Sequence, residues 1–445
     1  MKRRTLLAAA GALAAPALLP ATPVRAHRGA IDAAGLGLTP DHSGDQSRRL
    51  QRALDEGSRR GRPVLLTPGT YRVGDIRLPA RAVLMGLGGT ARLVFTSGAA
   101  LLTGEGCERV RLHGLVLDGA DRAMADPTAG LITLRSCPDV AIEDCAITGA
   151  RATGLRLEAC GGRVADCTIE RARGLAALYS VNATGLAVRD NVVRDCADGG
   201  ILVHRWEVGE DDTIVANNRV ARIGAASGGT GQWGNGINVF RAAGVKIADN
   251  HVADCAFSAI RCNSASNAAI TGNTALRSGE TALYAEFAFR GALVANNVVD
   301  GAAVGVSIAN FNEGGRLAVV ANNVVRNLRD SGPYPARNAG FGIGVAVEAD
   351  TAVTGNVIEA ARWGMLLGWG PYLRNVSVTG NVIREAETGV VVSVADGAGP
   401  ATISNNTIRA ERAVVGHLWR DAATGDLTRA ANVPAHLTVA NNRTG

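Results

Sequence analysis

Asn296-Asn297-Val298-Val299, Asn322-Asn323-Val324-Val325, Gly355-Asn356-Val357-Ile358, Gly380-Asn381-Val382-Ile383 and Asn405-Asn406-Thr407-Ile408 are five versions of one four-residue step. A turn-forming residue comes first, then asparagine, one variable residue and a branched apolar one. The step also reads Asp190-Asn191-Val192-Val193, Asn217-Asn218-Arg219-Val220, Asp249-Asn250-His251-Val252 and Gly272-Asn273-Thr274, and ends at Asn441-Asn442-Arg443. Earlier copies, Asp144-Cys145-Ala146-Ile147 and Asp166-Cys167-Thr168-Ile169, carry cysteine in the asparagine place. Spacing is mostly 22 to 27 residues and stretches to 31–36 at 114→145, 218→250, 323→356 and 406→442, where loops are inserted. A period in the low twenties with three short β-runs suits a coil whose strands pair with the next coil at about 4.8 Å. Leucine-rich spacing is missing, and a propeller blade needs about 40 residues. Asparagine at a sharp bend adopts the left-handed conformation, and its amide bonds to the next amide in the stack. Stacked in this way, buried amides satisfy one another, and the polar part of the ladder is expected to begin at Asn191.

A solenoid grows by adding coils, so 445 residues need not mean several compact domains. Apolar content of 47% with 56 glycines excludes a disordered chain. Arg3-Arg4, the apolar run Leu6 to Leu19 and Val24-Arg25-Ala26 resemble a twin-arginine export signal with a small-residue cleavage site. Residues 1–26 are therefore read as that signal, 27–106 as a cap with the first coils, and 107–445 as coil repeats. The expected partner during export is the twin-arginine translocase, and the expected location is periplasmic or secreted. The apolar run is too short for a membrane anchor in the mature chain. Removing Lys2, Arg3, Arg4 and Arg25 takes the formal charge from +6 to +2, which gives no case for nucleic acid.

Eight cysteines in an exported chain raise the question of disulfides. Cys145 and Cys167 take the ladder position, Cys107 and Cys137 share a register, and Cys196 and Cys255 each follow their step by five residues. This regularity points to small apolar side chains stacked in a core, hence buried free thiols. No zinc pattern occurs, and no cofactor is expected. The acidic turn Glu207–Asp212 is read as solvated, with calcium as the alternative.

The entry segment runs from Gly44-Asp45-Gln46 into a short helix with Leu50, Ala53 and Leu54 on one face, then Thr67-Pro68-Gly69-Thr70 and short apolar runs. Together with the repeat, this order resembles the right-handed parallel β-helix, or pectate-lyase-like, superfamily. With the export signal it is similar to exported repeat proteins of unassigned function. The resemblance implies an all-β, single-stranded solenoid whose helix plugs the first coil. It also implies a carbohydrate ligand. The clustered aspartates of polygalacturonases, the Asp-Pro-His of mannuronan epimerases and the calcium aspartates of pectate lyases are all missing.

Each coil also carries a run that begins with Gly or Ala and then alternates, such as Gly200-Ile-Leu-Val-His204 and Ala259-Ile-Arg-Cys-Asn263. The second and fourth residues point inward and the third and fifth outward. One outward row reads Arg156, Tyr179, Leu202, Asn238, Arg261, Tyr284, Ser307, and the other includes His204, Phe240, Asn263, Glu286 and Glu348. Trp206, Trp233, Phe287, Phe289, Phe311, Tyr334, Trp369 and Tyr372 are expected at the rim. Aromatic faces stack on sugars and arginine pairs with uronate carboxylates. A polysaccharide, uronic acid-containing if cleaved by a lyase, is the expected ligand. The catalytic candidates are His204, Arg261, Tyr284 and Glu286; the substrate-binding candidates are Tyr179, Trp206, Asn238, Arg241, Asn263 and Glu348. A lyase needs a neutraliser (Arg261 or Arg241), a base (His204 or Arg261) and a proton donor (Tyr284). A hydrolase would pair Glu286 with Glu348. The alternative is a non-catalytic carbohydrate-binding or envelope scaffold, in which Arg261 simply pairs with Glu286.

Overall fold

The computed structural model describes residues 29–126, 128–229 and 231–445; residues 1–26, read above as an export signal, lie outside them. The chain winds as a right-handed parallel β-helix with three sheet faces, the second and third joined into one 27-stranded sheet by long strands such as Val357–Leu367. The first sheet has 16 strands, from Ile31–Asp32 to Leu437–Ala440. The second holds the strand after each four-residue step, such as Arg219–Ile223 and His251–Cys255. The third holds the alternating runs, among them Leu178–Val181, Asn235–Ala243, Ile260–Asn263 and Thr281–Glu286. Pairing is parallel and in register from coil to coil, for example Asn238↔Arg261 and Arg261↔Tyr284. The helix Ser47–Arg60 buries Leu50, Ala53 and Leu54 and so covers strand edges at the open end.

The asparagine ladder forms at the corner between the first and second sheets. The Asn191 amide donates to Asn218 Oδ1 at 2.9 Å, and the chain continues through Asn250, Asn273, Asn297, Asn323, Asn356, Asn381 and Asn406 to Asn442. Each Oδ1 also accepts a backbone N–H, as Asn297 Oδ1 does from Asn273 at 2.8 Å. The first link is Cys167 N–H to Asn191 Oδ1 at 3.0 Å, so the polar ladder starts at Asn191 as expected. One expectation needs correcting. The ladder asparagine is not the left-handed residue. The residue before it is, with φ of 58° at Asp190, 56° at Asn217 and 67° at Gly355. Bending and bonding are thus divided between neighbours, and this explains why the first position alternates among Gly, Asn and Asp.

All eight cysteines are free and buried. Burial pushes the thiols of Cys196 to about 11 and of Cys255 and Cys262 to about 12. The third-sheet strands begin with stacked glycines for a steric reason. A Cβ on Gly200 would stand 2.2 Å from the Gly236 carbonyl, and one on Gly344 2.4 Å from that of Gly364. The alternation holds inward: Ile201, Val203, Ile237 and Val239 are all fully buried.

Candidate functional site

Insertions turn the outer face of the third sheet into a groove. Segments 119–126, 224–229, 231–234 and 327–342 lie at the corner leading into this sheet, while the end of the strand Gly199–Glu210 with 211–213, the loop 368–373, and 419–436 with its strand Asp421–Asp426 lie at the corner leaving it. Phe257 ties two of these loops together. It stacks on Tyr334, centroids 6.4 Å apart, and would meet a Cβ on Gly234 at 2.4 Å. The later outward positions Leu366 and Val391 are buried with Phe341 and Trp363 under these loops. Phe289 is fully buried in the solenoid core and is not a rim residue. The other expected rim aromatics are half-buried or exposed.

A smaller pocket of about 260 Å³ is lined by Tyr179, His204, Trp206, Asn238, Phe240 and Asn263, with Leu175, Gly231 and Gln232. His204 meets Tyr179 and Phe240 edge-on, with centroids 5.2 and 5.6 Å away. Asn238 Nδ2 donates to the Gly231 carbonyl at 3.4 Å, which turns its Oδ1 toward His204 Nε2 at 2.9 Å. His204 Nε2 therefore carries the proton and Nδ1 is the basic nitrogen. Burial lowers the His204 pKa to about 4, against the opposing effect of the Asn238 bond, so the ring rests neutral. Arg241 stands 4.8 Å from the Phe240 ring and donates to the Trp206 carbonyl at 2.6 Å. Among the described residues it has no carboxylate within 4.0 Å.

Arg261 is tied up differently. Its Nε donates to Glu286 Oε1 at 2.6 Å, both side chains are buried, and Asn263 donates to the same oxygen at 3.0 Å. Burial works against the Arg261 charge, but Glu286 more than offsets it and holds its pKa above the usual value. That pairing removes Arg261 as a resting base. Register separates Tyr284 from the histidine. Its strand lies three coil steps from that of His204 (His204↔Phe240, Phe240↔Asn263, Asn263↔Glu286), about 14 Å at roughly 4.8 Å per step. Tyr284 instead lines a larger cleft of about 370 Å³, together with Glu348. Glu286 and Glu348 are two steps apart, but only Glu348 is free of an arginine. The sequence-based quartet thus falls into two places on one face: His204 at the smaller pocket, and Arg261, Glu286 and Tyr284 together, with the Arg261 guanidinium 5.4 Å from the Tyr284 ring centroid. Glu280, which lines the larger cleft, was missed because it precedes the alternating run; its only sequence signal is a carboxylate where other coils carry Phe257, Ala303 or Gly342.

Asp211, in the acidic turn, is buried and accepts from the Thr213 hydroxyl; burial raises its pKa. No group of three or more His, Cys, Asp or Glu side chains is placed to hold a metal among the described residues.

The sheet arrangement defines a right-handed parallel β-helix. Comparisons with known proteins agree. Residues 97–286 match the family described as periplasmic copper-binding protein (NosD), and 207–381 match the right handed beta helix region. The first of these families is periplasmic, in keeping with an exported chain. No curated protein matches the sequence. Among solved structures, pre-mature bacteriophage phi29 gene product 12 is 14% identical with a TM-score of 0.52, over 93% of this chain and 66% of that one. The chain thus spans just under two thirds of the phage protein's length. The Azotobacter vinelandii mannuronan C-5 epimerase AlgE6 A-module is 17% identical with a TM-score of 0.44, over 93% and 99%. Copper favours thiolate, thioether and imidazole donors. Here the thiols are stacked inside the solenoid and no group of three or more His, Cys, Asp or Glu side chains converges among the described residues, so these do not fit a resident copper ion.

Proposed function

We propose that the chain is an exported polysaccharide-binding protein and that the smaller pocket holds a uronic acid unit and cleaves beside it by β-elimination. The supporting observation is that a neutral histidine and a phenol line one aromatic-walled pocket, beside which a carboxylate-free arginine, Arg241, is held by two of the lining residues, Phe240 and Trp206. Arg241 neutralises the uronate. His204 Nδ1 takes the proton from the carbon next to the carboxylate, and the electron pair left behind forms the new double bond as the glycosidic C–O bond breaks. Tyr179, in contact with His204, gives the phenolic proton to the departing oxygen. Tyr284, which the sequence pattern offered for this task, belongs to a neighbouring subsite. Export follows the twin-arginine route.

The locked Arg261–Glu286 pair favours a second reading, a non-catalytic binding or envelope scaffold, because it spends two of the four catalytic candidates on each other. The two readings separate on a panel of acidic polysaccharides. Ultraviolet absorbance from unsaturated product, abolished by His204→Gln and Tyr179→Phe, is the expected result. Binding without turnover on any glycan overturns the elimination and leaves the scaffold. Reducing-sugar release without new absorbance points to hydrolysis.

A further inference from the structure

The larger cleft is built unlike the smaller pocket. Its walls carry Tyr284, Tyr334, Phe341 and Trp369, and two carboxylates, Glu280 and Glu348, line it. Glu280 is 5% exposed; the Tyr334 hydroxyl donates to it at 2.6 Å and the Ser258 hydroxyl at 3.3 Å. Glu348 accepts the Phe311 N–H at 2.6 Å. Among the described residues neither carboxylate has a cationic nitrogen within 4.0 Å. Glu286, one coil away from this cleft's centre, is matched by Arg261, so that pair adds no net charge. Arg337 also lines the cleft, but it is exposed in loop 327–342.

A buried carboxylate is stable when a cation faces it. Aromatic faces also attract cations, most strongly where water is excluded. Both features converge here, and the described residues place no cationic nitrogen within 4.0 Å of either carboxylate. We propose that this cleft binds a ligand bearing an organic ammonium group, as a saccharide unit with a free amine. Ser307, Asn310 and Asn338, on the same lining, offer partners for the sugar hydroxyls. Its volume of about 370 Å³ lies within the roughly 300–1,000 Å³ common for small-ligand sites. Burial also pushes Glu348 up to about 7, with the Phe311 and Asn310 N–H groups pulling the other way, so an arriving ammonium would favour its ionised form. This site is independent of elimination at the smaller pocket. If both operate, the glycan carries acidic and aminated units along one groove.

The test is calorimetric titration of the whole mature chain with a β-1,4-glucosamine oligosaccharide, its fully N-acetylated counterpart, choline and a galacturonate oligosaccharide. The glucosamine oligomer is expected to bind about tenfold or more tighter than the acetylated one. Glu348→Gln and Tyr334→Phe are each expected to weaken it, while Arg241→Ala leaves it unchanged. Tyr334→Phe keeps the test open if a carboxylate variant folds poorly. Equal binding of the acetylated oligomer, or no binding of either, overturns the proposal. Choline binding as tightly as the glucosamine oligomer overturns the saccharide part. Loss of galacturonate binding in Arg241→Ala with glucosamine binding intact confirms that the two sites are separate.

Discussion

The ladder corner and the outer face of the third sheet are built on the same coil, yet they obey opposite rules. At the corner one residue type recurs from Asn191 to Asn442, and each amide is satisfied by the coils above and below. On the outer face, from Arg156 to Ser307, no residue type is repeated in successive coils. Tyr179, His204, Phe240, Asn263 and Glu286 follow one another or sit side by side, and loops lean over them. Repetition marks the positions that hold the solenoid together. Departure from repetition, on strands held rigid by that ladder, marks where a ligand is met. Arg261 and Glu286 stand between these cases, being non-repeating yet closed on each other.

The contrast can be broken at several points. The largest effect is expected from Asn297→Leu. It strips the Asn273 backbone N–H and side-chain amide of their Oδ1 acceptor, and it takes the Asn297 amide donor away from Asn323 Oδ1 and from the Ile270 carbonyl. The cost should be about 3–5 kcal/mol in urea unfolding, from several buried groups unsatisfied at once. Arg261→Ala should cost about 3 kcal/mol by leaving Glu286 buried and unpaired, and Glu286→Ala added to it should restore part of that loss. A double variant as unstable as the sum of the singles would mean the pair is not a closed unit.

Stability should also depend on His204 protonation. Its pKa is about 4 when folded and about 6.5 in its ordinary state, so below pH 6.5 the unfolded chain takes up a proton that the native one refuses. This contribution is complete above about pH 6.5, is lost as pH falls toward 4, and amounts to about 3 kcal/mol. His204→Gln should flatten the melting temperature over that window, and an unchanged slope would contradict the buried neutral ring. The smallest effect on stability is expected from Arg241→Ala, within about 0.5 kcal/mol, because the side chain has no carboxylate to abandon.

The fold was legible because its signal is written many times over. Ten ladder asparagines and the glycine starts fix register without any knowledge of the loops. The division of labour between Asn217 and Asn218 was not legible, since either residue type tolerates the left-handed turn. The face was legible as a row but not as a site. Alternation put His204, Arg261, Tyr284 and Glu286 outward, yet could not say that His204 would lean on Asn238 or that Arg261 would close on Glu286. Those pairings depend on side-chain reach across coils. Glu280 and Tyr334 meet only because loop 327–342 folds back over the sheet and Phe257 receives it, a contact between residues far apart in the chain. Phe289 looked like a rim residue because it sits beside an outward strand end, but the corner turns it into the core.

Calorimetric titration of acidic oligosaccharide into the wild type and into Arg241→Ala tests the central claim most directly. The variant is expected to keep its stability within about 0.5 kcal/mol, so a change in binding reports on the groove. The expected result is saturable binding to the wild type and about tenfold weaker binding to Arg241→Ala, as befits loss of one charge-assisted contact. Equal affinity for both, or no binding to the wild type, would contradict the assignment of the outer face of the third sheet as the place where a uronate is held.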